Sequence, residues 1–301
     1  LRKLVMRAFT SREIKALAPG LETLCHDLID AFPQDAPFDL LTDYCTQVPV
    51  IAICRLLGVP EEMAPQLLDW SHKMVAMYQA RRTRETEEAA SRASSDFSAF
   101  LTEYIDARRS DPRDDLLSQL IAAEEAGEKL STEELITTCI LLLNAGHEAT
   151  VHAMAIAVKT LLEHRTPKTA LAPDAIDQTI EETLRFDPPL HMFERWAIED
   201  FDAVGHSFKR GDKVMCLLGA ANRDPVAYPD PHSFDPSRKG PVNVAFGGGI
   251  HFCVGAPLAR LELQIAIPKL FARFTNLRIA QPPQYANLYH FHGLERLVLH
   301  S

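Results

Sequence analysis

Hydrophobic positions recur at helical spacing through the first part of the chain. Between residues 38 and 57 they occupy positions 40, 41, 44, 48, 51 and 54, and the pattern stops at Gly58 and Pro60, two residue types that end helices. Two more helices are predicted over residues 61–79 and 85–109, because apolar side chains again fall on one face. This pattern predicts a core that is mainly α-helical.

The longest predicted helix begins at a capping box, Ser131-Thr132-Glu133-Glu134, and continues to about Glu163. At 1.5 Å per residue it is roughly 48 Å long, enough to cross a whole domain. Four polar side chains interrupt its apolar centre: Asn144, His147, Glu148 and His152. The interruption indicates a buried helix rather than a membrane span. A carboxylate in such a helix needs a partner or water, and His152 is one turn away from Glu148.

Strand and turn chemistry replaces the helical pattern in the second part of the chain. A shorter helix is predicted over residues 174–186, followed by strands near 195–198 and 214–218. Five prolines between 225 and 241 exclude regular structure there. Residues 276–299 are predicted to form short strands.

Composition narrows the classes of function. With 301 residues, 47% of them hydrophobic, the chain is long enough for a large core, and we expect a single domain over residues 1–301. A formal charge of −10 argues against nucleic acid and anionic membranes as partners. The six cysteines are scattered, without a CxxC pair, and the histidines lack zinc-site spacing. Neither a disulfide framework nor a zinc site is indicated, and a reducing cytoplasm is expected.

The first residues are already helical in spacing. Leu1, Leu4 and Val5 fall on one face, and no capping residue precedes them. We therefore expect the natural protein to be longer, so that this chain lacks an N-terminal part.

A glycine-rich loop, residues 246–255, leads into a predicted helix that carries Pro257 in its first turn. Consecutive glycines permit positive φ and let the backbone lie against a flat ligand. Cys253 precedes the helix N-terminus, whose free N–H groups favour a thiolate, the form that binds metal. A phosphate site is disfavoured because no Lys-Ser/Thr pair follows the glycines. Taken alone, such a cysteine is more often a small buried hydrophobe.

Three motifs resemble those of the cytochrome P450 family, of the soluble bacterial type, and they occur along the chain in the order expected for that family. The matched residues are Phe246, Gly249, His251, Cys253 and Gly255 of the haem-binding loop, Ala145-Gly146-His147-Glu148 of the oxygen-binding helix, and Glu182-Thr183-Leu184-Arg185 of the ExxR motif. The resemblance implies a mainly α fold with small β-sheets and a long central helix over haem b, held by a cysteine thiolate.

The resemblance also implies a role for individual positions. Cys253 is the expected axial ligand of the iron. The other implied cofactor contacts are Phe246, Gly247 and Ala145 against the haem, and His251, Arg195 and Arg2 on its propionates. Charge-assisted hydrogen bonds from cationic groups suit those carboxylates. Glu182 and Arg185 are expected to form a buried structural ion pair.

Two positions depart from the family pattern. Ala149 stands where the family usually has a threonine that holds water for proton delivery. Either Thr150, ordered water or a substrate hydroxyl replaces that group, with Glu148 relaying protons, or coupling is poor and the oxidation is atypical. Ser233 occupies the place of the arginine that completes the ExxR network, and His232 is the expected substitute.

The expected activity is a monooxygenase that oxidises a small hydrophobic substrate with O2. Its electrons would come from NAD(P)H through a ferredoxin reductase and a ferredoxin. The expected substrate contacts are Leu141, Asn144, Leu190, His191, Met192 and Phe291. The alternative is a haem-binding protein without turnover, such as a sensor or a non-functional truncated form.

Overall fold

A computed structural model describes residues 2–33, 36–125, 130–288 and 290–301. About 57% of the protein is helical, which confirms the predicted fold class. The helices are α1 (Arg2–Ala8), α2 (Ser11–Ala16), α3 (Ala18–Asp30), α4 (Gln47–Leu57), α5 (Ala64–Val75), α6 (Arg84–Ser110), α7 (Leu116–Glu125), α8 (Thr132–Glu163), α9 (Ile176–Phe186), α10 (Leu218–Ala221) and α11 (Ala256–Arg273). The predicted helical start includes Leu1, which lies outside the described residues, and the side chain of Leu4 is also outside them.

The strands are short and all pair antiparallel. They are β1 (Phe38–Asp39), β2 (Met192–Trp196), β3 (Phe201–Ala203), β4 (His206–Phe208), β5 (Lys213–Leu217), β6 (Arg278–Ile279), β7 (Gln284–Tyr285), β8 (Leu294–Arg296) and β9 (Val298–His300). One sheet has the order β1-β9-β6, and the other strands form the pairs β2–β5, β3–β4 and β7–β8. Residues 225–241 contain no helix or strand, as their prolines predict.

Helix α8 organises the core. Its predicted capping box is present, since the Ser131 hydroxyl accepts the Glu134 N–H and the Glu134 carboxylate accepts the Ser131 N–H. Residues 135–143 pack with α4, α6 and α7 in one apolar cluster, and residues 151–161 pack with α9 and α11 in another. The polar stretch 144–149 therefore lies between two cores, where a functional site is expected.

The same helix is long and apolar enough to cross a bilayer by length and composition alone. However, 61% of its most apolar window is buried inside the protein. Core helices of this kind pass the same test, so the burial agrees with the interpretation of α8 as a core helix.

The predicted helix over residues 38–57 begins late. Phe38 and Asp39 pair with β9 instead, and the Asp39 carboxylate accepts the N–H groups of Leu41 and Leu297. A wide turn over 41–45 follows before α4 begins at Gln47. A pattern of apolar spacing cannot show this, because the partner strand lies about 260 residues away in sequence. The predicted end is correct, with Gly58 in the left-handed region at φ 86°.

Gly146 serves the contact between helices. A β-carbon there would lie 2.7 Å from Cγ1 of Ile53 on α4. Glycine at this position thus allows α4 and α8 to cross closely. The packing gained at this crossing offsets the cost of glycine in a helix interior, which is about 1 kcal/mol relative to alanine.

Candidate functional site

The glycine-rich loop is closed by its own backbone. The Cys253 N–H donates to the Phe246 carbonyl at 3.0 Å, and α11 begins three residues later at Ala256. Gly247 and Gly249 have φ values of 71° and 62°, which disfavour any side chain. The sharp turn presents Cys253 at the surface of the polypeptide.

Two opposing effects act on the Cys253 thiol. The surrounding protein desolvates it and raises its pKa above the ordinary value. The N–H groups of Gly255 and Ala256 and the guanidinium groups of Arg2 and Arg260 act in the other direction. The predicted stabilisation by the helix N-terminus is therefore present, but the loss of hydration caused by atoms around the sulfur outweighs it, although the residue is at the surface. A metal cation bound to the sulfur would supply the remaining stabilisation, because a coordinating thiol is deprotonated.

The loop fits a broad, flat cofactor. A β-carbon added to Gly248 or Gly249 meets no described atom within 4 Å, so one face of the turn is bare backbone. Ile250 and Phe252 are exposed apolar side chains beside the cysteine. Together with a single thiolate donor, this chemistry suits haem, whose iron binds cysteine thiolate in one class of haem proteins and whose macrocycle buries apolar surface.

Two of the three cations expected at the haem propionates, Arg2 and His251, lie at the cysteine loop, and the third, Arg195, lies on β2. Arg2 is brought to the loop from the far end of the chain, and its Nη2 donates to the Phe252 carbonyl at 2.6 Å. His251 is exposed in the same turn. Arg195 is exposed on β2, where its Nη1 donates to the Glu194 carbonyl at 2.8 Å. The Phe246 ring lies under the Arg260 guanidinium, at 4.6 Å from its centroid.

The middle of α8 has one open face. Leu141 and Ala145 are exposed, and Ala149 is half-buried one turn further along. Thr150 is only 7% exposed. Successive helical residues differ by about 100° around the axis, so Thr150 lies on the flank of Gly146 rather than on the open face. At the position where the family usually has threonine, this chain presents the methyl group of Ala149.

Glu148 is surrounded by three imidazoles. Its Oε2 lies 3.4 Å from His72 Nε2 and 3.5 Å from His147 Nε2, and its Oε1 lies 3.7 Å from His152 Nε2. These distances are long for hydrogen bonds. Burial raises the pKa of Glu148, but the imidazoles outweigh it and hold that pKa well below its usual range. The carboxylate also raises the pKa of His72.

His152 alone was predicted from the sequence as a neighbour of Glu148. His72 comes from α5, which crosses α8 at this point, and the sequence contains no signal for that contact.

The ExxR residues form a buried fork. Arg185 donates from Nε and Nη2 to the two oxygens of Glu182 at 2.7 and 2.8 Å, and both side chains are almost fully buried. Three backbone carbonyls accept the remaining donors of the guanidinium: those of Asn222, Pro231 and Ser233.

The arginine that completes this network is Arg238. Its Nε donates to Glu182 Oε1 at 3.1 Å, so the expected substitution by His232 is wrong. His232 instead accepts a hydrogen bond from Arg223. Ser233 participates through its carbonyl, which accepts hydrogen bonds from both Arg185 and Arg238. The turn over residues 233–238 brings Arg238 back to the Glu182 carboxylate. Motif spacing alone places this arginine at the position of Ser233.

The predicted substrate contacts fall into two groups. Asn144 donates from Nδ2 to the Met74 sulfur at 3.6 Å, and so lies between α5 and α8 near Leu141. The second group lies where β2 meets the C-terminal segment. His191 stacks on His292 at 3.9 Å, Phe291 is buried against His152, and Leu190 and Met192 are half-buried.

Comparison with known proteins agrees with this geometry. The sequence profile of the family described as "Cytochrome P450" matches residues 1–172 and 175–287. The chain is 38% identical over 303 aligned positions to the polyketide biosynthesis cytochrome P450 PksS of Bacillus subtilis (strain 168), covering 99% of this chain and 74% of that protein. It is 40% identical to the vitamin D(3) 25-hydroxylase of Pseudonocardia autotrophica, covering 93% of this chain and 69% of that enzyme.

Solved structures have the same fold. The crystal structure of P450BioI in complex with an acyl carrier protein ligated to hexadec-9Z-enoic acid superposes with a TM-score of 0.94. The identity is 35%, and the match covers 99% of this chain and 78% of that chain. Members of this family bind haem b, use redox partners and O2, and act on hydrophobic substrates. The exposed cysteine, the bare glycine turn and the buried ExxR fork therefore have a common explanation, since the chain belongs to the cytochrome P450 family and is a haem monooxygenase.

Proposed function

We propose that this enzyme inserts one oxygen atom from O2 into a small hydrophobic substrate, at a haem held by Cys253. The observation that carries the proposal is the exposed thiol on a glycine turn with Arg2 beside it. Haem supplies the activation of O2 when bound. The chain contributes the thiolate, a bare backbone surface for the macrocycle, and the cations Arg2, His251 and Arg195 for its propionates.

The substrate class is supported by the exposed apolar residues of α8 and by the relatives. Leu141 is 60% exposed and precedes Ala145 on the same face. The names of the relatives refer to a polyketide pathway, vitamin D(3) and a hexadecenoic acid carried by a protein. Vitamin D(3) and the hexadecenoic acid are mainly hydrocarbon, so we infer a hydrophobic substrate bound against α8 and the segment around Phe291.

Proton delivery is proposed to pass through Glu148. His72 is about half exposed and faces this carboxylate, so it can take protons from solvent and pass them inward. Beyond Glu148 the family threonine is replaced by Ala149, and Thr150 is buried on another flank. We therefore favour ordered water or a substrate hydroxyl over Thr150 as the last donor.

The ratio of product formed to NAD(P)H consumed tests this proposal. If the site is adapted to work without the threonine, Ala149→Thr leaves the ratio unchanged or lowers it. A large rise in coupling would show that the wild-type site has no evolved substitute, and would favour an atypical oxidation.

The electron donor is proposed to be an acidic ferredoxin, in the cytoplasm. Arg2 and Lys3 are exposed on α1, and Arg2 touches the cysteine loop, so this basic surface lies next to the haem ligand. Opposite charges accelerate encounter in a salt-dependent way. Lys3→Glu should slow reduction by ferredoxin at low salt and have little effect at high salt, as measured by stopped-flow. A rate independent of this substitution at low salt would contradict the docking surface. Arg7 follows on the same helix and we expect it to contribute to this surface, but its side chain lies outside the described residues.

A further inference from the structure

Three metal-binding side chains meet between α5 and α8, and we refer to them as the α5–α8 cluster: His72, His147 and Glu148. Their ligand atoms all lie within 4.8 Å of one another. Neither the sequence motifs nor the relatives assign a metal to these residues.

The hydrogen bond of His147 determines which ring nitrogen faces the cluster. Its Nδ1 lies 2.7 Å from the Leu143 carbonyl, and because a carbonyl only accepts, Nδ1 carries the hydrogen. The other ring nitrogen, Nε2, therefore faces the Glu148 carboxylate. His147 is 2% exposed, and Nε2 has no hydrogen-bond partner among the described residues. Nε2 of His147 lies 3.5 Å from Oε2 of Glu148, a spacing at which both atoms can bind the same cation.

The spacing of the cluster suits a tetrahedral cation. Ligands that bind Zn2+ at about 2.0 to 2.2 Å lie roughly 3.3 to 3.6 Å from one another in a tetrahedron. The two imidazole nitrogens lie 3.4 and 3.5 Å from Oε2 of Glu148. The Nδ1–H bond to Leu143 is also the usual way in which a metal-binding histidine is oriented. Because the His72 side chain is 57% exposed, water can provide the fourth ligand.

A second group with comparable spacing is already satisfied. Asp187, His191 and His292 also lie within 4.8 Å of one another. However, His292 Nε2 lies 3.0 Å from Asp187 Oδ1, and the Tyr285 hydroxyl donates to Oδ2. A metal there would have to displace both contacts, so this group serves as a control.

We propose that the α5–α8 cluster binds one divalent transition-metal ion, of which Zn2+ fits the ligands best, and that the ion clamps α5 to α8. Two imidazole nitrogens and a carboxylate oxygen form a recurrent zinc donor set. If Glu148 carries protons as proposed above, a bound ion also removes it from proton delivery. That consequence rests on the proposed function, whereas the binding itself does not.

The test uses purified holoprotein treated with a chelator and then given ZnCl2. We expect one Zn2+ per chain after desalting, measured by elemental analysis, together with a raised Tm, because an ion that binds only the folded state stabilises it. Zinc-edge X-ray absorption should show scattering from two imidazole rings. The haem iron has a different absorption edge and does not interfere.

Variants distinguish Zn2+ binding at the α5–α8 cluster from binding at other histidines. His72→Ala lies on an exposed position, so it should fold normally and weaken Zn2+ binding more than about tenfold. Glu148→Gln should do the same, whereas His191→Ala should bind like the wild type. No retained Zn2+, or retention that is unchanged in His72→Ala, would overturn the proposal. Loss of binding in His191→Ala alone would assign the metal to the second group and would also overturn it.

Discussion

Replacing Arg185 by leucine tests the structural role of the ExxR fork. Arg185 donates two hydrogen bonds to Glu182 and three to backbone carbonyls, and its side chain is 2% exposed. In Arg185→Leu, Glu182 keeps the Arg238 Nε at 3.1 Å and the Asp235 N–H at 2.9 Å, but loses its bidentate partner.

Removing one partner of a buried ion pair typically costs about 3 to 5 kcal/mol. Folded domains are stable by only about 5 to 15 kcal/mol, so we expect little holoprotein. Arg185→Lys should lose less, because it keeps the charge while losing the planar fork.

Urea unfolding followed by circular dichroism, with haem content per chain, measures this loss. The matched control is Arg84→Leu, which breaks an exposed pair with Glu88 on α6. Exposed pairs contribute about 0 to 1 kcal/mol, so the control should unfold almost as the wild type does. If Arg185→Leu lost less than about 1 kcal/mol and kept normal haem content, the fork would not have the structural role assigned to it.

Two further predictions concern packing and pH. Gly146→Ala should destabilise the protein by about 1 to 3 kcal/mol, because its β-carbon would meet Ile53, and Ile53→Ala should offset part of that loss in a double-mutant cycle; additive losses would contradict the contact. Burial raises the pKa of Glu262 well above 4.5, so its folded state holds the proton more tightly than the unfolded state does. The contribution of Glu262 to the free energy of unfolding is greatest below about pH 4.5, and it falls as the pH rises towards the pKa of the folded state. The advantage of Glu262→Gln over wild type should therefore grow as the pH rises above about 4.5, by at most about 1.4 kcal/mol per pH unit, and parallel unfolding profiles would contradict it.

The sequence predicted the features that depend on neighbours along the chain. The capping box at Ser131 and the end at Glu163 are local signals, and the structure has both. The glycine turn before Cys253 is equally local. Its three consecutive glycines lie just before α11, and Pro257 lies in the first turn of that helix.

Contacts across the fold could not be predicted in this way. Arg238 reaches Glu182 from 56 residues away through irregular backbone, so motif spacing misplaced it. His72 meets Glu148 because α5 crosses α8, and nothing in the local pattern marks it. The pKa of Cys253 also depends on desolvation by the whole loop, whereas the sequence shows only the helix N-terminus that opposes it.

The central claim is that Cys253 is the thiolate ligand of a haem. Carbon monoxide added to the reduced holoprotein tests it most directly, because a thiolate-ligated haem gives a characteristic red-shifted absorption band. We predict that the wild type shows this band and that Cys253→Ser loses it, while Cys216→Ser, a change at another exposed cysteine, keeps it. Absence of the band in folded, haem-loaded wild type, or its persistence in Cys253→Ser, would contradict the account.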